Sequence, residues 1–197
     1  MLRKKTAKEL LADSFRELAE RTGVHRITVK AIADNCGYSL ATFYRCFRDK
    51  HDLITWDYAR QVNEIVAPVG TGSVPWRQTL LEGARYYESN REYLSNLFLN
   101  TAGLDAFLFR MTETNYTCLK ACLQQIAGTD TLDTRTDMCL RLYCHGTVAL
   151  ACEWVLGRYP VTAEELAEIF ERSLPEPLGS YLLNEQEGRT PICKAWS

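Results

Sequence analysis

The 197-residue sequence lacks most of the features that announce membrane or catalytic chemistry. It contains no run of about 18 apolar residues, the length a membrane-crossing helix needs. It has 3 histidines and no CxxC pair, so the closely spaced ligand pairs of a structural zinc site are missing. No glycine-rich phosphate loop, dinucleotide fingerprint, nucleophile elbow or metal-binding helix motif occurs. We therefore expect no catalytic residues, no metal and no cofactor; an enzyme would need a deep pocket holding a perturbed acid/base pair. Met1 to Lys8 is basic but leads into Glu9 and Asp13 rather than an apolar core. No secretory signal is read there, and the expected location is the cytoplasm. Proline and glycine are few and sit mainly between periodic segments, and no stretch alternates as a strand would. The expected fold class is all-α.

Cysteine is the exception to this sparseness. Cys36, Cys46, Cys118, Cys122, Cys139, Cys144, Cys152 and Cys193 make eight, and without paired spacing they read as small buried hydrophobes. Charge is unevenly spread. Residues 1–60 hold 12 Lys/Arg against 8 Asp/Glu, and residues 61–197 hold 11 against 17. A basic first third on an acidic remainder suits a nucleic-acid-binding head on a body that does not touch nucleic acid.

The apolar spacing predicts a first helix over about 4–22, with Ala7, Leu11, Phe15 and Leu18 on one face and Gly23 ending it. A short second helix follows Thr28, its N-cap, and stops at Gly37. A third, over 39–46, is capped by Ser39. A fourth starts near Asp49 and carries Leu53, Ile54, Tyr58, Val62 and Ile65. The stretch Pro68–Pro75 is rich in proline and glycine and is placed as the domain boundary. Beyond it, helices are expected at about 75–100, 104–127, 134–158 and 163–174, the last opened by a Thr162/Glu165 capping box. The expected domains are 1–67, 75–183 and a loose tail at 184–197.

Two short helices joined at Gly37 form the strongest local signal. In the second of them, Leu40, Phe43 and Phe47 share an anchoring face. Ala41, Thr42, Arg45 and Cys46 face the other way, with Tyr44 at the flank. Small and polar groups on an exposed helix fit the DNA major groove. Cys46 reads as a small spacer.

The run from Ile27 to Leu53 resembles the DNA-binding signature of the TetR/AcrR family. The matching elements are Thr28, the Ile32-Ala33 pair, Gly37-x-Ser39, Thr42-Phe43-Tyr44, Phe47, and Lys50-x-x-Leu53. The resemblance covers residues 5–60. It implies an N-terminal three-helix helix-turn-helix domain, joined through a linking helix to a C-terminal helical bundle that dimerises and receives a signal. It also implies DNA-contacting roles for Thr28, Ser39, Leu40, Ala41, Thr42, Tyr44, Arg45 and Lys50, the last meeting the phosphate backbone at the start of the fourth helix. Leu40 departs from the polar or basic residue frequent at its position; packed inward or against a thymine methyl, it would leave base reading to Thr42 and Arg45.

The second domain is less telling. His145-Gly146 through Trp154 and Gly157, then Thr162 to Leu166, resembles a branch that includes regulators of dihydroxyacetone kinase operons. Some members of that branch look like activators that work with a partner protein. Helix 134–158 is apolar nearly all round, which predicts burial on both sides. The family pairs its last two long helices across a two-fold axis, which implies a homodimer interface through Gly146, Leu150, Trp154, Leu166, Ile169 and Phe170. Such a dimer would bind a near-palindromic double-stranded operator. A small-molecule effector pocket is expected between helices 75–100, 104–127 and 134–158. Its candidate lining is Tyr86, Tyr87, Phe98, Phe107, Phe109, Tyr116, His145 and Trp154, with Arg85 and Glu153 as polar anchors. A partner protein docking on the acidic domain is the alternative source of control.

Overall fold

Residues 5–100 and 104–183 are described by the computed structural model, apart from the side chains of 100 and 104–106. The expected tail at 184–197 lies outside the described residues. Among the described residues, ten α-helices run in order: α1 (Ala7–Arg21), α2 (Val29–Asn35), α3 (Leu40–Cys46), α4 (Lys50–Gly70), α5 (Trp76–Ser89), α6 (Arg91–Asn100), α7 (Leu104–Ala127), α8 (Thr134–Val155), α9 (Ala163–Arg172) and α10 (Glu176–Leu182). No strand occurs among the described residues. They form two compact units. The head comprises Met1–Gln61 and Asn90–Met111; the body comprises Val62–Ser89 and Thr112–Ser197.

The head forms from strongly punctuated sequence. Thr6 opens α1 with a full capping box: its N–H donates to Glu9 at 2.7 Å, and its hydroxyl accepts the Glu9 N–H at 3.3 Å. Two orphan donors of the first turn are thereby satisfied. Leu11, Ala12, Phe15 and Ala19 bury the inner face of α1. Gly23 does not end it, as the spacing had suggested. Thr22 turns extended, and Gly23 instead opens a short 3-10 turn over Val24–Arg26 that the sequence did not reveal. Ser14 fastens α2 by donating to the Ile32 carbonyl at 2.7 Å.

Two boundaries differ from expectation. Pro68 does not end α4, which continues to Gly70. Proline forfeits one helical N–H, but Val66 and Val69 on either side are buried and hold the last turn in place. The helix closes at Gly72, whose φ of +67° suits glycine. The units accordingly divide inside α4, at Gln61/Val62, rather than at Pro68–Pro75. The expected helix at 75–100 is two, because Asn90 interrupts it and starts α6. Residues Asn90–Met111 then belong with the head. Asn96 explains this: it accepts the Val24 N–H at 3.3 Å and donates to the Ala19 carbonyl at 2.9 Å and the Thr22 carbonyl at 3.3 Å.

In the body, Asp133 caps α8 and the Thr162/Glu165 capping box opens α9. Leu140, Tyr143, Cys144, Val148, Ala151, Trp154 and Val155 make the buried face of α8. Tyr143 donates to the Phe170 carbonyl at 2.9 Å, pinning α8 to α9. α10, which the sequence reading had not separated, buries Leu178 and Leu182.

Candidate nucleic-acid interface

The α2–turn–α3 unit is held by local bonds that the sequence prescribes. The Thr28 hydroxyl accepts the Ala31 N–H at 3.1 Å, and the Ser39 hydroxyl accepts the Thr42 N–H at 3.2 Å. Gly37 sits at φ +73°, in open space. Its glycine is required by backbone conformation, not by crowding. Across the turn, the Tyr38 N–H reaches back to the Ala33 carbonyl at 2.8 Å. Underneath, Phe43 and Phe47 are buried with ring centroids 5.8 Å apart, and Phe47 meets Trp56 of α4 at 5.6 Å. These anchors leave the other face of α3 to solvent.

Thr28, Ser39, Ala41 and Arg45 are exposed, and Thr42 is half-buried. Tyr44 is 58% exposed. Leu40 does not join buried Phe43 and Phe47 in the seat under α3; it stays 42% exposed. Arg48 pairs loosely with Asp52 at 3.6 Å, and Arg45 makes no ion pair among the described residues.

Lys50 is placed differently from the expectation. Its ammonium donates to three backbone carbonyls, of Val24 (3.0 Å), His25 (3.3 Å) and Ile27 (3.1 Å). Burial lowers its pKa. All three hydrogens point into the head, so the side chain braces the corner before α2 instead of reaching outward. The start of α4 is also occupied. Asp49 accepts the N–H groups of Asp52 (2.8 Å) and His51 (2.7 Å), bonds that lower its pKa, the Asp52 one most. The helix end that could have met a phosphate is capped by the protein's own carboxylate.

Below the head's surface lies a polar cluster that sequence reasoning missed. Asp57 is buried and receives Arg16 Nε at 2.6 Å and an Arg60 nitrogen at 3.1 Å. Arg16 also donates to Asn90 at 2.9 Å, so α1, α4 and the start of α6 share one charge network.

In the body, a cavity of about 90 Å³ opens among α4, α5, α7, α8 and α9. Tyr86 and Tyr87 line it, together with Trp76, Thr79, Asn115 and Tyr143. The remaining candidates lie elsewhere. Phe98 and Phe107 pack on each other in the head, with centroids 5.9 Å apart, and Phe109 is exposed. Tyr116 turns its hydroxyl to Asp137 at 2.5 Å, with Arg141 stacked 3.9 Å from its ring centre. His145 follows buried Cys144 on α8 and is exposed, because one residue along a helix rotates about 100°. Trp154 is core, its indole N–H donating to the Val161 carbonyl at 2.7 Å. Arg85 pairs with Glu164 at 3.2 Å, and Glu153 accepts from Tyr159 at 2.9 Å. No charged residue lines the cavity.

Of the candidate interface residues, Trp154, Leu166 and Phe170 are buried within the body itself. Gly146, Leu150 and Ile169 are exposed. α8 is not covered on both sides in the single chain. Met138 and Leu142, the latter 71% exposed, extend the row through Gly146 to Leu150 at four-residue spacing, one face of a helix. The thiols of Cys144 and Cys152 are pushed up to about 12 by burial, which keeps them protonated and inert.

A capped pair of short helices, presenting its second member outward from a three-helix base, has the geometry of a helix-turn-helix. Residues 11–55 match the family described as bacterial regulatory proteins, tetR family. The chain is 24% identical over 103 residues to the HTH-type dhaKLM operon transcriptional activator DhaS of Lactococcus lactis subsp. lactis (strain IL1403). That match spans 50% of this chain and about half, 52%, of the relative. A solved structure of a dihydroxyacetone kinase operon activator, DhaS, has the same fold, with a TM-score of 0.60, 18% identity, and coverage of 89% of this chain and 96% of that one. Among the described residues, no helix is long and apolar enough to cross a membrane.

Proposed function

We propose that the protein is a dimeric, sequence-specific DNA-binding transcriptional regulator of the cytoplasm. The observation that carries this reading is the outward face of α3, where Ala41, Tyr44 and Arg45 stand exposed on a base fixed by Phe43 and Phe47. Tyr44 and Arg45 supply hydrogen-bond donors for phosphate and base edges, and Ala41 permits close approach. The exposed row Met138, Leu142, Gly146 and Leu150 supports a two-fold pairing through α8, and Ile169 of α9 is exposed as well. Such a pair would span a near-palindromic operator with half-sites about 34–36 Å apart. Fluorescence anisotropy with duplexes enriched from a random pool tests the reading. Binding should weaken steeply with salt, because phosphate contacts release counterions. Arg45→Ala and Tyr44→Ala should each lose affinity while keeping the helical circular dichroism of the parent. Unchanged affinity in both variants would refute the assignment of α3.

Control of DNA affinity is assigned first to a small-molecule effector in the body cavity, where Tyr86 and Tyr87 offer aromatic contact. A partner protein docking on the body is the second reading. The cavity's volume favours it: about 90 Å³ is well below the roughly 300–1,000 Å³ usual for ligand pockets. The activators that the chain resembles support activation over repression as the sign of control. Titration calorimetry against small uncharged aromatic compounds, beside co-purification from cells, separates the two.

A further inference from the structure

The exposed face of α3 offers fewer free polar groups than its sequence suggests. The hydroxyls of Ser39 and Thr42 lie 3.1 Å apart and bond each other, and the Ser39 hydroxyl also accepts the Thr42 N–H. That pair takes up part of the hydrogen-bonding capacity of Thr42 and leaves it one hydroxyl site for a base edge. Leu40, by contrast, keeps 42% of its surface in solvent, although leucine is usually buried. Ala41 is exposed next to it, and Arg45 stands exposed further along the helix. The face therefore presents an apolar edge beside the exposed Tyr44 and one unpaired guanidinium. Every base edge in the major groove is polar except for one group, the C5-methyl of thymine, while a guanidinium fork matches guanine O6 and N7.

We propose that Leu40 is a specificity-determining residue that reads the 5-methyl group of a thymine in each operator half-site. Ala41 allows the approach, and Arg45 takes a guanine in the same half-site. The inference rests on the DNA-binding reading above. It adds an apolar contact to the base discrimination expected of Thr42 and Arg45.

The experiment uses the full chain and a duplex enriched by it from a random pool. Each thymine is replaced in turn by deoxyuridine, which pairs identically and removes only the methyl group. Burying one methyl is worth about fourfold in affinity per half-site. One thymine position should therefore show a loss of about fourfold with the parent protein, and about sixteenfold when both half-sites are changed. In Leu40→Ala the same replacement should change affinity less than about 1.5-fold, and in Leu40→Met the loss should largely return. Leu40 is exposed, so both variants should keep the parent's thermal unfolding curve. Indifference of the parent to every thymine replacement would overturn the proposal. So would an undiminished methyl effect in Leu40→Ala, which would give the methyl contact to another group. Failure to enrich any duplex would instead overturn the DNA-binding reading on which the proposal stands.

Discussion

Replacing Lys50 with methionine separates two roles for a lysine at the start of α4. If its ammonium met a DNA phosphate, the loss would appear in the salt dependence of binding. If it braces the head, the loss would appear in stability. The distances favour the second: three carbonyls, of Val24, Ile27 and His25, take its three hydrogens at 3.0, 3.1 and 3.3 Å. Methionine keeps the length of the apolar stem and removes every donor. A hydrogen bond to a charged group contributes about 1.5–3 kcal/mol when buried. Lys50 is only half-buried, so the freed carbonyls recover part of this from water. Burial also disfavours the ammonium, as its lowered pKa shows, so the three bonds together should stabilise the head by about 1 kcal/mol rather than by their sum.

Urea unfolding of the full chain, followed by circular dichroism, should show that loss as a fall in midpoint. Anisotropy titrations of an enriched duplex across a salt series give the second readout. A lost phosphate contact would flatten the slope of log K against log salt by about 0.9 for each head. The expected result is an unchanged slope, with weaker binding at every salt concentration because the α2–α3 pair is less firmly seated. A flattened slope with stability within about 0.5 kcal/mol of the parent would refute the inward assignment.

Three other perturbations test separate parts of the structure. Leu142→Glu places a charge in the exposed row of α8 and should give a folded monomer by sedimentation velocity; a persisting dimer would remove α8 from the interface. Gly37→Ala meets no neighbouring atom within 4 Å, so its cost should be purely conformational, about 1–2 kcal/mol in urea unfolding, and a much larger loss would mean that the turn is crowded. Asp137 is held below the ordinary carboxylate range by hydrogen bonds from Lys120 and Tyr116. Its folded value lies below the unfolded one, so the stabilisation is complete above about pH 4 and is lost as pH falls through the folded value. Asp137→Asn should therefore cost about 1 kcal/mol at pH 7, shrinking steadily in acid; a cost independent of pH would show that charge is not its source.

The head was legible because its rules are local. Thr28 and Ser39 each act within three residues of themselves, and Gly37 needs only its own φ, so sequence alone places the two short helices and their turn. What stayed hidden depends on residues far apart in the chain. Nothing around Asn96 announces that its amide will bond Ala19, Thr22 and Val24, and nothing near Asp57 announces Arg16. The body candidates divided on helical phase. Residue type alone does not say which way a side chain faces: His145 turns outward beside buried Cys144, whereas Tyr86 and Tyr87 both line the cavity. Pro68 misled because burial of its neighbours outweighed one missing N–H.

Asn96 and Lys50 also explain why a segment ninety residues into the chain belongs to the head. Both act on the corner between α1 and α2. Asn96 holds that corner through the carbonyls of Ala19 and Thr22 and the N–H of Val24. Lys50 holds it through the carbonyls of Val24, His25 and Ile27. Val24 is gripped at both ends of its backbone, by α6 at the nitrogen and by α4 at the oxygen, and its side chain is fully buried. Ile27, the last carbonyl of the set, immediately precedes the Thr28 cap of α2. A displacement of either α4 or α6 at this point must therefore carry the start of α2 with it or break bonds to buried backbone. α4 continues into the body through Val62–Gly70, and α6 is followed by α7, which also enters the body. The two elements that grip the corner are thus the two whose chain leads to the cavity-bearing unit. The backbone of Val24 is the point at which α4 and α6 meet the helix-turn-helix inside the head.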